Sequence, residues 1–444
     1  MLLISRSFRR RFLRTRSIVL VLLCLLALDA VLIAKSLSPS TRVYKSSRTV
    51  GQKIFIASMF RNSEYILRMS WSNALLTLVQ DLGPENVYIS ITESGSLENT
   101  KGALLELGGE LQKLGVKHRI LTGINHLEQQ DMLRALPEEG KRQGWVYTGR
   151  PESKAGKEGW EMRRLPYLAS LRNQVLEPLL EGPEGEWDKI LWINDVVFTV
   201  SLHSSPVARQ SWCTDNNYTE DVLTLLQTNH GSYSAACSLD FQNSATDYYD
   251  TFALRDSNGH KTATHFFPFF HNSASLEAMR ANTAIPVKSC WNGMTVFDAA
   301  PFYGANGLRF RGVEDSLAAM HVEGSECCLI HADNPLRDTY GVFANPSVRV
   351  SYNISTYEIL NPSQGERIWP HTWDMVTGVW ANRRARWFQW FVLHTEGAVI
   401  RRRLKKWENG GKKSEGGVAI RKENGVECLV NELQVLYYNG WQHV

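Results

Sequence analysis

The chain has 444 residues, 43% of them apolar, and a formal charge of +4. Six arginines (Arg6, Arg9, Arg10, Arg11, Arg14, Arg16) and no acid fall in residues 1–17, so the +4 becomes −2 without them. The apolar share supplies a core for one large domain or two smaller ones, and the near-neutral body excludes nucleic acid as its partner.

Residues 17–34 read SIVLVLLCLLALDAVLIA, an apolar run with one charge, Asp29. It is just long enough to cross a bilayer. The Arg-rich tail on its amino side favours a single-pass type II signal anchor over a cleaved signal peptide, with residues 1–16 as a cytoplasmic tail. Asp29 works against the span, because a charge in the membrane is costly. Residues 35–52 are Ser-, Thr-, Lys- and Arg-rich and read as a short stem.

From residue 53 the character changes. Residues 54–57 read as a buried strand, 64–82 as a helix stopped by Gly83-Pro84, 87–91 as a second strand, 97–114 as a helix and 117–121 as a third strand. This β-α-β-α-β order predicts an α/β, doubly wound sheet. No G-x-G-x-x-G follows Ala57, which speaks against a NAD-type site. The first loop carries Arg61 and Asn62, which read either as contacts to a nucleotide or as a surface Arg beside a helix cap. Residues 125–160 are polar and Gly-rich and read as a long loop. Residues 168–180 form a helix carrying Arg172 and Asn173.

Residues 190–193 (ILWI) are a short apolar run of the kind buried in a parallel sheet, and it ends in Asn194-Asp195. A carboxylate at the carboxyl end of such a strand stands where open α/β sheets bind ligands. The plainer reading is that Asp195 caps a turn. Further on, 220–227 reads as a helix and 233–241 as a strand holding Asp240. Arg255 and Asp256 sit among apolar residues and need partners, either each other or a substrate. Trp291 and Asn292 lie in a turn, where Trp291 offers a stacking face. Residues 327–330 read as a strand flanked by Glu326 and His331. Residues 382–425 read as a helix with a basic face and then an exposed flexible loop, and 427–440 as an ordered end docking on the domain. Seven cysteines, six outside the apolar run, fit an oxidising compartment with pairings that the sequence leaves open. Asn353 is a better glycosylation acceptor than Asn217.

Several blocks together resemble a known family. They are IFIASMFRNSEYIL (54–67), RRLPYLASLRNQVLEPL (163–179), KILWINDVVFT (189–199), YYDTFALRD (248–256), PVKSCWNGMTVFDAAPF (286–302), EGSECCLIHAD (323–333) and ECLVNELQVLYYNGWQHV (427–444). The chain resembles the fungal cryptococcal mannosyltransferase and capsule-associated proteins, glycosyltransferase family 69. The resemblance implies a type II Golgi membrane protein with a luminal GT-A-like mannosyltransferase domain (53–350) and a C-terminal extension (351–444). It implies GDP-mannose as donor, a mannose-containing acceptor, an α-1,3 linkage and net retention, for capsule, cell-wall, glycolipid or glycoprotein glycans. In such a site Mn²⁺ or Mg²⁺ would be held by Asp195, with His331 and Asp333 as further ligands. Arg61, Asn62, Arg172 and Asn173 would lie on the donor side, and Asp240, Arg255, Asp256, Trp291 and Asn292 around the acceptor. Glu326 would stand near the reacting carbon as nucleophile or ion-pair stabiliser, and Asp195 would share the catalytic role. The usual D-x-D is replaced by N-D-V. Residues 200–219 depart from the family pattern; Val-Ser at its start fits a splice donor, so a retained intron and a surface loop both stay open. The rival to an enzyme is a non-catalytic factor of the same fold serving capsule polysaccharide synthesis or export, and a UDP-sugar is the rival donor.

Overall fold

The computed structural model describes residues 2–36, 51–150, 156–183, 185–199, 221–361, 370–410, 413–414, 417–418 and 421–444. Most of the expected stem, the segment 200–219 with Asn217, and residues 411–412, 415–416 and 419–420 of the 382–425 stretch lie outside the described residues. A helix Leu2–Ser36 comes first. The domain then runs β1 (Ile54–Phe60), a helix from Glu64 to Leu82 broken by a π-turn at Leu67–Trp71, β2 (Val87–Glu93), helix Thr100–Lys113, and β3 (Lys117–Thr122). Helix His126–Arg134 and the short strands β4 (Trp145–Tyr147), β5 (Gly156–Lys157) and β6 (Trp160–Met162) follow, then helix Arg164–Glu181 and β7 (Lys189–Ile193). Next come β8 (Ala235–Phe241), β9 (Arg255–Asp256), β10 (Ile285–Ser289), β11 (Met294–Asp298), β12 (Glu323–Gly324) and β13 (Val342–Ser351), and short strands including Leu429–Val430 follow toward the C-terminus.

Nine strands form one sheet in the order β3-β2-β1-β7-β11-β8-β13-β10-β9. β1 is parallel to β2 and β7, whereas β11 is antiparallel to β7 and β8. The mixed, doubly wound α/β sheet expected from the sequence is therefore present. Its centre is buried on both faces, as the unbroken apolar runs require. Phe55, Ala57, Ile190 and Trp192 face one core, which the Arg164–Glu181 helix covers with Val175, Leu176 and Leu179. Ile54, Ile56, Leu191 and Ile193 face the other, covered by Leu75, Leu78, Leu104 and Leu107. The alternation is the period of two that a strand imposes.

Two expectations are corrected. Residues 125–160 are not one long loop. Asn125 and Glu128 form a reciprocal capping box that starts a helix, and Arg142 stacks over Trp160 at 4.7 Å beside β4–β6. Residues 327–330 are not a strand but part of helix Glu326–Ala332, whose first carbonyl acceptor is Ser325 (Cys328 N 3.0 Å, Leu329 N 2.9 Å). An apolar run buried on every side does not distinguish the two by periodicity.

Residues 427–430 contact the domain at two points. β12 pairs with Leu429–Val430, and Cys328 is bonded to Cys428 across a separation of 100 residues. A second disulfide joins Cys237 to Cys290; Cys327 is a buried free thiol. A loop of about 100 residues gives the Cys328–Cys428 bond roughly 4–5 kcal/mol of chain-entropy stabilisation. Cys428→Ser is expected to lower the urea midpoint accordingly and to expose the segment after 421 to protease; an unchanged midpoint would show that the end is held by packing alone.

Candidate functional site

The chain leaves β1 toward β2 on one side and leaves β7 toward β8 on the other, so strand order reverses between β1 and β7. Ligands of open α/β sheets bind beyond the carboxyl ends of the strands at such a point. The two loops there are Arg61-Asn62-Ser63 and Asn194-Asp195. Ser63 Oγ donates to Asp195 Oδ2 at 3.0 Å and joins them directly. The π-turn turns the buried indole of Trp71 toward β7, where Nε1 donates to the Asn194 carbonyl at 3.0 Å. Burial raises the Asp195 carboxyl above its ordinary range, against the Ser63 hydrogen bond, while its edge stays partly exposed.

More carboxylates gather beside it. Asp240, in β8, is buried; its Oδ1 accepts from Asn292 Nδ2 at 3.0 Å and from the Asp250 amide at 3.2 Å, and its Oδ2 from the Tyr352 hydroxyl at 3.3 Å. Asp250 accepts from the amides of Phe252 and Ala253, both at 3.0 Å, and is partly exposed. Burial raises both carboxyls, and the charge of Asp250 adds to the effect on Asp240. Glu326 is next, close enough for its charge to raise Asp250. Its Oε1 accepts from Arg172 Nε at 3.3 Å, and the guanidinium lies 4.5 Å over Trp291. Tyr249 and Tyr352 stand edge to face at 4.8 Å and feel the charges of Asp195, Asp240 and Asp250 together. Gly293 closes the arrangement. Its φ is +76°, and a Cβ there would come within 2.4 Å of Val350 Cγ2 and 3.3 Å of Asp240 Cβ.

The structure brings together Asp195, Asp240, Asn292, Arg172 and Glu326, and separates others. Trp291 is 3% exposed and stacks on Arg172, so its face is not open to a sugar. Asn173 staples the 310 loop by exchanging hydrogen bonds with the Phe310 backbone (2.9 and 3.0 Å). Arg255 donates to the carbonyls of Phe252, Leu254, Glu427 and Cys428, and Asp256 accepts from the amides of Asn258, His260 and Asn272, so each orders backbone rather than pairing with the other. Arg61 reaches the Gly95 carbonyl (3.2 Å) and Gln129 (3.4 Å), and the exposed Asn62 accepts from the Leu97 amide. Asn353 is exposed and caps helix Ile354–Leu360 through Oδ1.

The metal set expected from the sequence is not assembled. Asp333 is held by Arg311 at 2.6 and 2.9 Å. His331 is buried in a helix, its ring stacked on Phe297 and Nε2 at 2.7 Å from the Cys290 carbonyl. Among the described residues, the ligand-type side chains close enough to share an ion are Cys237, Cys290 and His331, and the two sulfurs are already bonded to each other. Sequence reasoning missed Ser63, Asp250, Tyr249 and Tyr352. The Tyr-Tyr-Asp of block 248–256 was the available signal.

The family model described as Cryptococcal mannosyltransferase 1 matches residues 53–207 and 212–333. The chain belongs to this family. Ser63, Asp195, Asp240, Asp250 and Glu326 all lie within the matched mannosyltransferase segments. An alpha-1,3-mannosyltransferase of Cryptococcus neoformans var. neoformans serotype D is 25% identical over 301 residues, 63% of this chain; the chain spans 53% of that relative's length. Among solved structures, a mannosyltransferase from Pyrobaculum calidifontis in complex with GDP-Man and Mn²⁺ overlaps with a TM-score of 0.35 and 9% identity, covering 87% of this chain and 84% of that one. S. aureus TarS in complex with UDP gives 0.31 and 10%, over 68% and 60%.

Asp240 and Asp250 titrate above the unfolded-chain value of about 3.9. The folded protein therefore keeps protons that the unfolded chain has released, and stability falls as pH rises from about 4 toward neutrality. Melting temperature is expected to drop between about pH 5 and about pH 8, and to drop less in Asp240→Asn, where one ionisation is gone. Equal drops in the two proteins would clear this pair of responsibility.

Proposed function

We propose that the protein transfers mannose from GDP-mannose to an α-mannoside acceptor in α-1,3 linkage with retention, as a GT-A-like, Golgi-resident type II membrane protein. The observation that carries this reading is the carboxylate row beyond β1 and β7, with Asp195 tied to Ser63 at the point where strand order reverses. Membership of the mannosyltransferase family and the name of the Cryptococcus relative support the sugar and the linkage.

In this reading Ser63 fixes the Asp195 carboxylate, whose partly exposed edge faces the donor diphosphate. Its hard oxygen suits Mn²⁺ or Mg²⁺, which when bound would neutralise charge on the leaving diphosphate. With His331 and Asp333 committed elsewhere, Asp195 is the protein ligand we assign. Asp250, partly exposed between two buried acids, faces the sugar. Glu326 stands behind it, and Arg172 offsets the accumulated negative charge from below. Asn292 and Tyr352 hold Asp240 in place. Arg61 and Asn62, on the β1 loop, are assigned to the nucleotide side.

The test is transfer of labelled mannose from GDP-mannose to an α-mannoside by the full-length chain in detergent, with and without Mn²⁺. Asp195→Ala is expected to lower transfer by about 100-fold or more, the scale of losing a preorganised electrostatic contact, and Ser63→Ala by about 10-fold, the scale of losing a group that orients a ligand. Transfer competed by UDP rather than GDP would replace the donor. Folded protein that binds neither nucleotide would favour a non-catalytic factor in polysaccharide synthesis.

A further inference from the structure

The helix Leu2–Ser36 is apolar over Ser17–Lys35, long enough to cross a bilayer, and its side chains are exposed from Ile18 to Leu28. Asp29 interrupts it. At 1.5 Å per residue, Asp29 lies about 9 Å short of Lys35 along the axis. Its carboxylate is not left alone: Oδ2 accepts from Trp380 Nε1 at 2.8 Å and from Arg383 Nη1. Both donors belong to the long helix Thr372–Asn409.

That helix is fixed to the domain at both ends. Met375, Val376 and Val379 are buried in the core that contains Trp192 and Phe270, and Ile400, Leu404 and Trp407 in a second core with Leu317 and Leu429. Its rotation is set as well. Asn382 Nδ2 donates to the carbonyls of Phe266 and Phe267, and Arg386 Nη2 to Phe270, so the Asn382–Arg386 stripe faces the domain. The neighbouring stripe carries Trp373, Trp380, Arg383 and Trp387 at helical spacing. Trp373 and Trp380 meet edge to face at 6.2 Å. Trp380 and Arg383 meet the span, and one turn further Trp387 and Phe388 are 84% and 76% exposed.

In water these two rings would leave a large apolar surface exposed, and the stripe that carries them is continuous with the contact to the span. Tryptophan, phenylalanine and arginine on one helix face are the composition of a membrane–water interface. An interfacial helix sits roughly 5–10 Å into the headgroup and acyl boundary, the same scale as the axial distance from Asp29 to the Lys35 end of the apolar run. We propose that the face bearing Trp380, Arg383, Trp387 and Phe388 lies in the surface of the bilayer that the N-terminal helix crosses. The domain is then held to the membrane at two places, and Asp29 is neutralised at that boundary. The proposal rests on reading residues 17–35 as a membrane span.

The test uses the full-length chain reconstituted in phosphatidylcholine vesicles containing a phospholipid with a photoactivatable group near the glycerol end of its acyl chain. Adducts are mapped by mass spectrometry. Labelling is expected on residues 17–35 and on 372–388, and Trp387→Ser with Phe388→Ser is expected to lower the second signal about five-fold or more while leaving the first unchanged. Labelling confined to 17–35, or undiminished in the double variant, would overturn the proposal and leave the span reading standing. Protein released by alkaline carbonate with neither segment labelled would overturn both.

Discussion

Everything near the site answers to one constraint: carboxylates brought close together and out of water must be compensated. Asp195, Asp240, Asp250 and Glu326 converge beyond the strand ends, and burying an uncompensated charge is among the costliest things a fold can do. The compensation is graded. Asp195 has a hydroxyl, Asp250 two backbone amides, Asp240 an amide, an asparagine and a tyrosine, and Glu326 a guanidinium that is itself sandwiched among Trp192, Trp291 and Phe310. Where partners fall short of charge, proton uptake makes up the difference, which is why burial raises Asp240 and Asp250.

The scaffold serves that constraint. Central strands buried on both faces give a rigid floor. The π-turn spends an irregular stretch of helix to place Trp71 against the end of β7, and Gly293 lets the start of β11 approach Val350 and Asp240 more closely than any side chain would allow. Arg172 is the least replaceable part, because removing it would take from the buried Glu326, beside Asp250, the cation that pairs with it.

Much of the scaffold was legible in the sequence, since runs such as 54–57 and 190–193 are long enough, and bounded sharply enough, to declare buried strands. Asp195 was legible for the same reason, as the first carboxylate after such a run. Arrangement in three dimensions was not. Trp291 looked like a sugar platform because a sequence does not show that a distant Arg172 already occupies its face. His331 looked like a ligand because residues 327–330 suit a strand as well as a helix, and the helix turns it inward. Asp250 was overlooked in favour of Arg255 and Asp256, whose stronger local pattern belongs to backbone ordering. The capping box at Asn125 was visible as Asn-x-x-Glu, but the polar composition around it masked the signal.

Residues 427–430 act as a clasp on parts of the domain that are far apart in the sequence. Arg255 needs the carbonyls of Glu427 and Cys428, β12 needs Leu429–Val430, and Cys328 needs Cys428. A chain cut between Cys328 and Cys428 would leave Arg255 two carbonyls short, β12 without its partner strand and Cys328 a free thiol next to the free thiol of Cys327. Loss of so short a segment is thus felt at three places far apart in the sequence, and an adjacent pair of thiols would report it to an alkylating reagent.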